Sequence, residues 1–215
     1  SPVYDSAPEY MKQDFLFPYQ QGFTFVNQLY SENGWRSIDK AYKNPPITTE
    51  QIMHPEKYPD DRPIQVTLPD LTPILGEGWG EYSRDVMGEW YTYLMLSAGV
   101  DPQTRLSEAN ASKAATGWGG DAYVYYIDEN SDHYVFAWRS TWDTRQDADE
   151  FYAESLEYGI LRWGDGSNDD AGRVSWKAGD GPEVTIRQAG NDVLWLISDD
   201  SKAFDQALQT FRDFN

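Results

Sequence analysis

His54 is the residue of this chain best suited to chemistry, because imidazole titrates near neutral pH and serves as a metal ligand or a general base. Glu50 precedes it by four residues and would share a helical face with it, and Glu56 follows closely. A zinc centre needs three protein ligands, however, and the chain contains only 2 histidines and no cysteine. Two interpretations follow: His54 and Glu56 belong to a binding site, or His54 serves in capping and packing.

A glycine-rich segment, residues 117–121, is the second candidate site. Glycines allow a ligand to approach the backbone closely, and free amide groups bind anions. The segment lacks the spacing of phosphate-binding loops, and it lies between a predicted helix and a strand, the reverse of their order. Its residues Trp118, Gly119, Gly120 and Asp121 therefore form either a binding site or a tight turn that packs the indole.

An acidic loop near residue 165 is the third candidate, because it offers the hard oxygen donors that calcium prefers. The donors are Asp165, Asn168, Asp169 and Asp170. Their order does not match an EF-hand, and Asp, Asn, Gly and Ser are also the usual residues of turns. Calcium is the one cofactor that the sequence suggests, and a chain without any cofactor is the alternative.

The elements that must position these residues are mostly helical in the first half of the chain. Apolar residues at Phe23, Val26, Leu29 and Tyr30 have the spacing of one helical face. Turn and cap signals then predict short helices over residues 35–43 and 48–54. Further expectations are an extended arm over residues 1–16, a short strand over 64–68, and helices over 82–98 and 102–115. Four carboxylates recur every four residues, so a helix through them would place all four on one solvated side: Glu77, Glu81, Asp85 and Glu89.

The pattern changes to strands after residue 116. Residues 122–128 and 133–141 predict a hairpin, residues 145–161 a helix that Asp143 or Thr144 caps, and residues 173–177, 183–188 and 192–198 three more strands. A last helix begins at Ser201. The fold class is therefore α+β, with a helical N-terminal half followed by an antiparallel sheet covered by helices. The expected divisions are an arm (1–16), a helical part (17–115) and an α+β part (116–215), and a single shared core is equally compatible.

Composition limits the partners. The net charge is −19, from 36 acidic and 17 basic residues, so phosphate-rich partners are repelled and nucleic acid is excluded. The acidity is typical of a salt-adapted surface, with an ordinary acidic secreted protein as the alternative. The absence of cysteine excludes disulfides and thiolate chemistry. No apolar run approaches the roughly 20 residues that cross a bilayer, which predicts that no transmembrane segment is present.

Several phrases of the N-terminal half resemble a known family. They are the PYxxGxxFV phrase that begins at Pro18, Asn33-Gly34-Trp35, Pro45-Pro46, Thr48-Thr49-Glu50-Gln51, and His54-Pro55-Glu56-Lys57-Tyr58. They are similar to the C-terminal, non-catalytic portion of exported bacterial and archaeal zinc metallopeptidase-like proteins. The resemblance implies an upstream half with an HExxH helix, and this chain contains no such motif. It also implies an extracytoplasmic location, in a high-salt organism if the acidity is adaptive, and the start at Ser1 is typical of a processed or trimmed end.

The functional expectation is therefore a structural or substrate-presenting module that is not an enzyme by itself. Its implied partner is an upstream peptidase half or another exported protein. The alternative is an independent extracytoplasmic binding protein with an aromatic ligand or partner surface. Five of the 9 tryptophans are candidates for such a surface, although core packing accounts for most of them: Trp35, Trp79, Trp118, Trp138 and Trp142.

Overall fold

An antiparallel sheet, whose strands do not lie side by side in the order of the chain, forms the centre of the molecule. The computed structural model describes residues 2–169, 173–177, 179 and 181–214. Within them the strands are β1 (Trp79–Asp85), β2 (Trp118–Asp128), β3 (Tyr134–Trp142), β4 (Ser167–Asn168), β5 (Val174–Lys177), β6 (Glu183–Ala189) and β7 (Asp192–Ser198). They lie in the order β1-β2-β3-β7-β6-β5-β4, and every neighbouring pair is antiparallel. The predicted hairpin and the later strands are confirmed.

The helices lie before the sheet and on both of its faces. They are α1 (Pro2–Asp5), α2 (Glu9–Asn33), α3 (Trp35–Lys43), α4 (Thr49–Met53), α5 (Thr72–Leu75), α6 (Gly88–Ser97), α7 (Glu108–Ala115), α8 (Arg145–Trp163) and α9 (Ser201–Thr210). Short 3₁₀ turns occupy Pro55–Lys57, Pro102–Thr104 and Arg212–Phe214. The molecule is thus α+β, as its sequence predicts.

Alternation along the strands creates two apolar layers, one on each face of the sheet. In β7, Leu194 and Leu196 face the layer that α5 and α9 cover, whereas Val193 and Trp195 face the layer under α7 and α8. The second layer includes Leu96 and Ala111 from the helical half together with Trp118, Trp138 and Trp142 from the sheet. The parts predicted to meet at residue 115 therefore share a core.

The N-terminal helices pack mainly on each other and on α6. Phe25 and Leu29 of α2 form a small buried cluster with Ile38 of α3, and Tyr58 packs against it. No helix in the described ranges is both long enough and apolar enough to cross a bilayer. The positions of α3 and α4 agree with the predicted helices over residues 35–43 and 48–54.

Several local predictions were wrong. Residues 9–16 are not an extended arm but the first turns of α2. Asp14 anchors these turns to α6, because it accepts hydrogen bonds from Trp90 Nε1 (3.1 Å) and Tyr91 Oη (2.9 Å). Residues 64–68 form no ladder with another strand. Within residues 82–98, the first part is the end of β1, because pairing with β2 prevails over helical spacing, and α6 begins only at Gly88.

The change from helix to strand alters the environment of the four evenly spaced carboxylates. They do not share one solvated helical side, because Glu81 and Asp85 lie in β1. Glu89 lies in the first turn of α6 and is completely buried. The predicted helix over residues 102–115 is likewise shorter, because Pro102–Thr104 forms a separate 3₁₀ turn and the α-helix is α7 alone.

Candidate functional site

His54 and the buried Glu89 form a hydrogen-bonded pair between α4 and α6. His54 follows α4, whose start is fixed by Thr48 accepting from the Gln51 amide. Its Nε2 lies 2.7 Å from Glu89 Oε1 and its Nδ1 lies 3.7 Å from Glu56 Oε1. The hydrogen bond to Glu89 raises the pKa of His54, and burial raises the pKa of Glu89. The second oxygen of Glu89, Oε2, is buried without a hydrogen-bond partner among the described residues.

Lys57 forms the centre of a second charged group. Its Nζ donates to Glu50 Oε1 (2.5 Å) and Asp143 Oδ2 (2.6 Å), and Asp61 Oδ2 lies 3.3 Å away. Glu50 is 3% exposed, and burial raises its pKa to about 7 although Lys57 opposes the change. Burial lowers the pKa of Lys57, but its hydrogen bonds to Asp143 and Glu50 prevail and raise it.

The same three carboxylates have the spacing of a cation site. Oxygens of Glu50, Asp61 and Asp143 lie within 4.8 Å of one another, and Asp143 is far from the other two in sequence. The ammonium of Lys57 lies between them and neutralises part of their charge. The arrangement is therefore an ion-pair network in which a lysine is the cation.

Asp121 joins the sheet to the start of α6. Its carboxylate accepts hydrogen bonds from the amides of Met87 (2.8 Å) and Gly88 (3.1 Å), and from the indoles of Trp118 (3.2 Å) and Trp138 (2.6 Å). Burial raises the pKa of Asp121, and these hydrogen bonds oppose that effect. Because both oxygens are fully used by the protein, the structural interpretation fits Asp121 better than a ligand-binding one.

The two glycines before Asp121 are required by the chain itself. The Ile64 amide donates to the Gly119 carbonyl at 2.7 Å, so the backbone near residue 64 crosses β2 at this point. A Cβ on Gly120 would lie 2.1 Å from the Ile64 carbonyl oxygen, and one on Gly119 would lie 3.1 Å from Asp143 Oδ1. The close approach that glycine permits is used by residue 64 rather than by an external group.

A cleft opens beside these elements. Its volume is about 540 Å³. It is lined by Ile47, Thr48, Thr49, Pro63, Ile64, Gln65, Val66, Val86, Met87, Gly88, Tyr91, Trp118 and Asp121. Four of the apolar lining residues are strongly exposed: Ile47 (52%), Ile64 (49%), Val86 (51%) and Tyr91 (43%). The cleft thus presents an apolar wall with a few hydroxyl and amide groups.

The structure separates the sequence-predicted sites. Trp118 and Asp121 line the cleft, whereas His54 and Glu56 do not, and His54 is paired with Glu89 instead. Of the predicted aromatic surface, Trp138 and Trp142 are fully buried, and Trp35 is 70% exposed.

Within the described residues, the polar groups of the acidic loop bind neighbouring residues of the chain. Asp169 accepts from the Arg173 amide (3.0 Å) and from Arg173 Nε (2.6 Å), and Asn168 pairs with Val174 in the sheet. Asp165 is exposed, and Asp170 lies outside the described residues. Calcium binding here stays a prediction.

Lys57, Asp61, Glu89 and Asp143 were not predicted to belong to any site. The only sequence signal was the four-residue separation of Lys57 and Asp61, which is common on surfaces. Glu89 carried no signal of burial, because its spacing from other acids suggested a solvated position.

The comparisons with known proteins identify a family but no function. No curated protein and no solved structure matches the chain. The resemblance to metallopeptidase-like proteins therefore stays a prediction. A family model described as "Domain of unknown function (DUF8575)" matches residues 74–208, from α5 to α9, which includes Glu89, Asp121 and Asp143 but not α2–α4. The chain belongs to this family.

Proposed function

We propose that the chain is a binding module that holds a small, largely apolar ligand in the cleft. One observation carries the proposal: the exposed side chains of Ile47, Ile64, Val86 and Tyr91 converge on the same opening. Exposed apolar residues that are grouped in this way mark binding surfaces more often than scattered ones do. The volume, about 540 Å³, also falls in the range of roughly 300–1,000 Å³ typical of small-molecule sites.

The negative charge of the protein favours some classes of ligand for the cleft over others. Asp121 lines the cleft, and Glu50 and Glu89 directly follow lining residues in the chain, although Lys57 and His54 neutralise part of their charge. The net charge of −19 adds a negative field over the whole surface. A neutral or positively charged ligand is therefore favoured over an anion of the same shape.

Two dyes that share one apolar ring system test both parts of the proposal. N-phenyl-1-naphthylamine is neutral, and 1-anilinonaphthalene-8-sulfonate adds a sulfonate to nearly the same skeleton. We expect saturable binding of the neutral dye, with an increase in its fluorescence, and at least roughly tenfold weaker binding of the sulfonate, since about 1.4 kcal/mol of repulsion suffices for that factor. Equal affinity for the two dyes would contradict the charge argument.

Matched variants locate the binding site. Val86→Glu places a carboxylate in the cleft, and Val100→Glu adds the same charge at a residue that is 74% exposed and does not line it. We expect the first variant to lose binding of the neutral dye and the second to retain it. Retention by Val86→Glu would show that the dye binds elsewhere and would refute the proposal.

The role implied by the family resemblance is a separate prediction. It describes a structural or substrate-presenting module of an exported metallopeptidase-like protein, with an extracytoplasmic location. Apolar surface outside the cleft supports a role in protein contacts, because the exposed face of α2 offers a place for another chain.

A further inference from the structure

An exposed apolar stripe runs along α2. It consists of Phe15, Tyr19, Phe23, Val26 and Tyr30, which recur every three or four residues and so lie on one side of the helix. Phe15, Tyr19 and Phe23 are 67%, 69% and 66% exposed, values far above those of core aromatics. We call these five residues the α2 stripe. Such a row of large apolar side chains is unusual on a chain with this charge.

The helix that carries the stripe is firmly held from another side. Its inner face buries Phe25 and Leu29, and Phe17 packs on Trp90 of α6 with ring centres 4.6 Å apart. Asp14 adds the hydrogen bonds to α6 described above. The stripe is therefore a second, outward-facing surface of an anchored helix, and the described part of the chain leaves it open to solvent.

Charge points to a second copy of the chain as the occupant. Residues 15–31 contain no charged residue, although a quarter of the chain is charged and the net charge is −19. Two copies repel each other over most of their surfaces, but they can meet along this segment without bringing carboxylates together. A basic partner would instead need acidic side chains beside the apolar row, and the segment has none.

The size of the stripe also fits self-association. From Phe15 to Tyr30 the helix extends about 24 Å, at about 1.5 Å per residue. Trp35 of α3 continues it, since its ring packs edge-on against Tyr30 at 5.4 Å. The four aromatic side chains of the stripe and Trp35, of roughly 200 Å² each and exposed by about two thirds on average, offer roughly 650 Å². A specific interface buries about 800 Å² on each partner, so the stripe together with Trp35 supplies most of what a dimer requires.

We propose that two copies of the chain pair through their α2 stripes in a symmetric dimer. The same patch then serves both partners, as a two-fold axis requires, and the two α2 helices cross near Phe23. High salt strengthens this dimer, because screening weakens the repulsion between the acidic surfaces while the apolar contact persists. A partner recruited by charge would show the opposite dependence on salt.

Sedimentation velocity tests the proposal. The full chain is measured from low salt to about 1 M salt, where the screening length is about 3 Å. We expect the wild-type protein to shift from monomer to dimer as salt rises. Phe23→Glu should remain monomeric throughout, and Phe15→Glu is the second variant if the first does not fold. The matched control is Tyr82→Glu, at a residue 75% exposed on the edge strand β1, and it should still dimerise.

Several outcomes would overturn the proposal. The wild-type chain remaining monomeric at every salt concentration is one, and a dimer that survives in folded Phe23→Glu is another. A dimer lost in Tyr82→Glu but kept in Phe23→Glu would assign the contact to the sheet edge. Binding of the monomer to neutral phosphatidylcholine vesicles, abolished by Phe23→Glu, would assign the stripe to a lipid surface instead.

Discussion

Replacing Lys57 with methionine removes the cation that Glu50 needs in its buried position. Lys57 Nζ lies 2.5 Å from Glu50 Oε1, and the Glu50 residue is 3% exposed. Removing one partner of a buried ion pair costs about 3–5 kcal/mol, because the other group must either keep an uncompensated charge or take up a proton. Since the side chain of Lys57 is 24% exposed and solvent screens part of the interaction, we expect a loss of about 3 kcal/mol in the free energy of unfolding at pH 8.

The cost of this substitution should depend on pH in a defined direction. Burial raises the pKa of Glu50 from 4.5 to about 7, so its contribution to stability is complete below pH 4.5 and is lost as the pH rises through 7. Lysine limits that loss, because its hydrogen bond and charge favour the carboxylate. The methionine variant should therefore be most destabilised above pH 7 and much less at pH 4, where Glu50 is protonated in both folded and unfolded chains.

Urea unfolding followed by tryptophan fluorescence measures this difference at both pH values. Arg145→Met is the matched control, because its partner Asp149 is 56% exposed and we expect no measurable loss. Adding Glu50→Gln to Lys57→Met should restore most of the stability at pH 8, since the uncompensated charge is then gone. A loss no larger than that of the control, or an equal loss at pH 4 and pH 8, would show that Lys57 does not stabilise a buried charge on Glu50.

Three further substitutions test other parts of the site. Asp121→Asn should lower the free energy of unfolding by about 2–4 kcal/mol, measured in urea, because an amide cannot accept all four hydrogen bonds and leaves buried donors unpaired. Gly120→Ala should cost about 1–3 kcal/mol because its Cβ meets backbone at 2.1 Å, whereas Gly80→Ala has open space and should be nearly neutral; equal effects would contradict the packing argument. Glu89→Gln should lower the pKa of His54, since the hydrogen bond from Glu89 raises it, and an unchanged NMR titration of the imidazole would disprove this. In the wild type, charged His54 stabilises the fold at low pH, and that contribution is lost as the pH rises through the raised pKa.

Local signals in the sequence were sufficient for much of the fold. Helix α3 begins after Gly34 and ends before the prolines that follow residue 44, as predicted. Glycine allows the backbone to leave the helical conformation, and proline lacks the amide hydrogen that would continue the helix. Thr144 begins α8 through a reciprocal capping box with Asp147. The hairpin of β2 and β3 was also predictable, since its alternation and its turn lie within one short stretch.

Pairing between distant segments was not predictable in the same way. Residues 79–85 have helix-compatible spacing, yet they form an edge strand because β2 offers them a hydrogen-bonding partner. Because these residues form a strand, the helix begins only at Gly88. Glu89 therefore lies in the first turn of α6, where it is buried against His54, and not on a solvated helical face. No single-segment pattern contains this information, because it depends on which elements become neighbours.

Sequence patterns were sufficient to predict the α+β class, the ends of several helices such as α3 and α4, the excess of acidic residues and the residue types available for chemistry. They also singled out His54 and the segment with Gly120 and Asp121, but they could not state what contacts them. Three features depend on the packing of distant segments: Ile64 fills the space over Gly120, the protein's own donors saturate Asp121, and Lys57 pairs with the distant Asp143. Caps, turns and strand periodicity depend on neighbours along the chain, whereas burial and long-range ion pairing depend on neighbours in space, and a sequence pattern contains only the former.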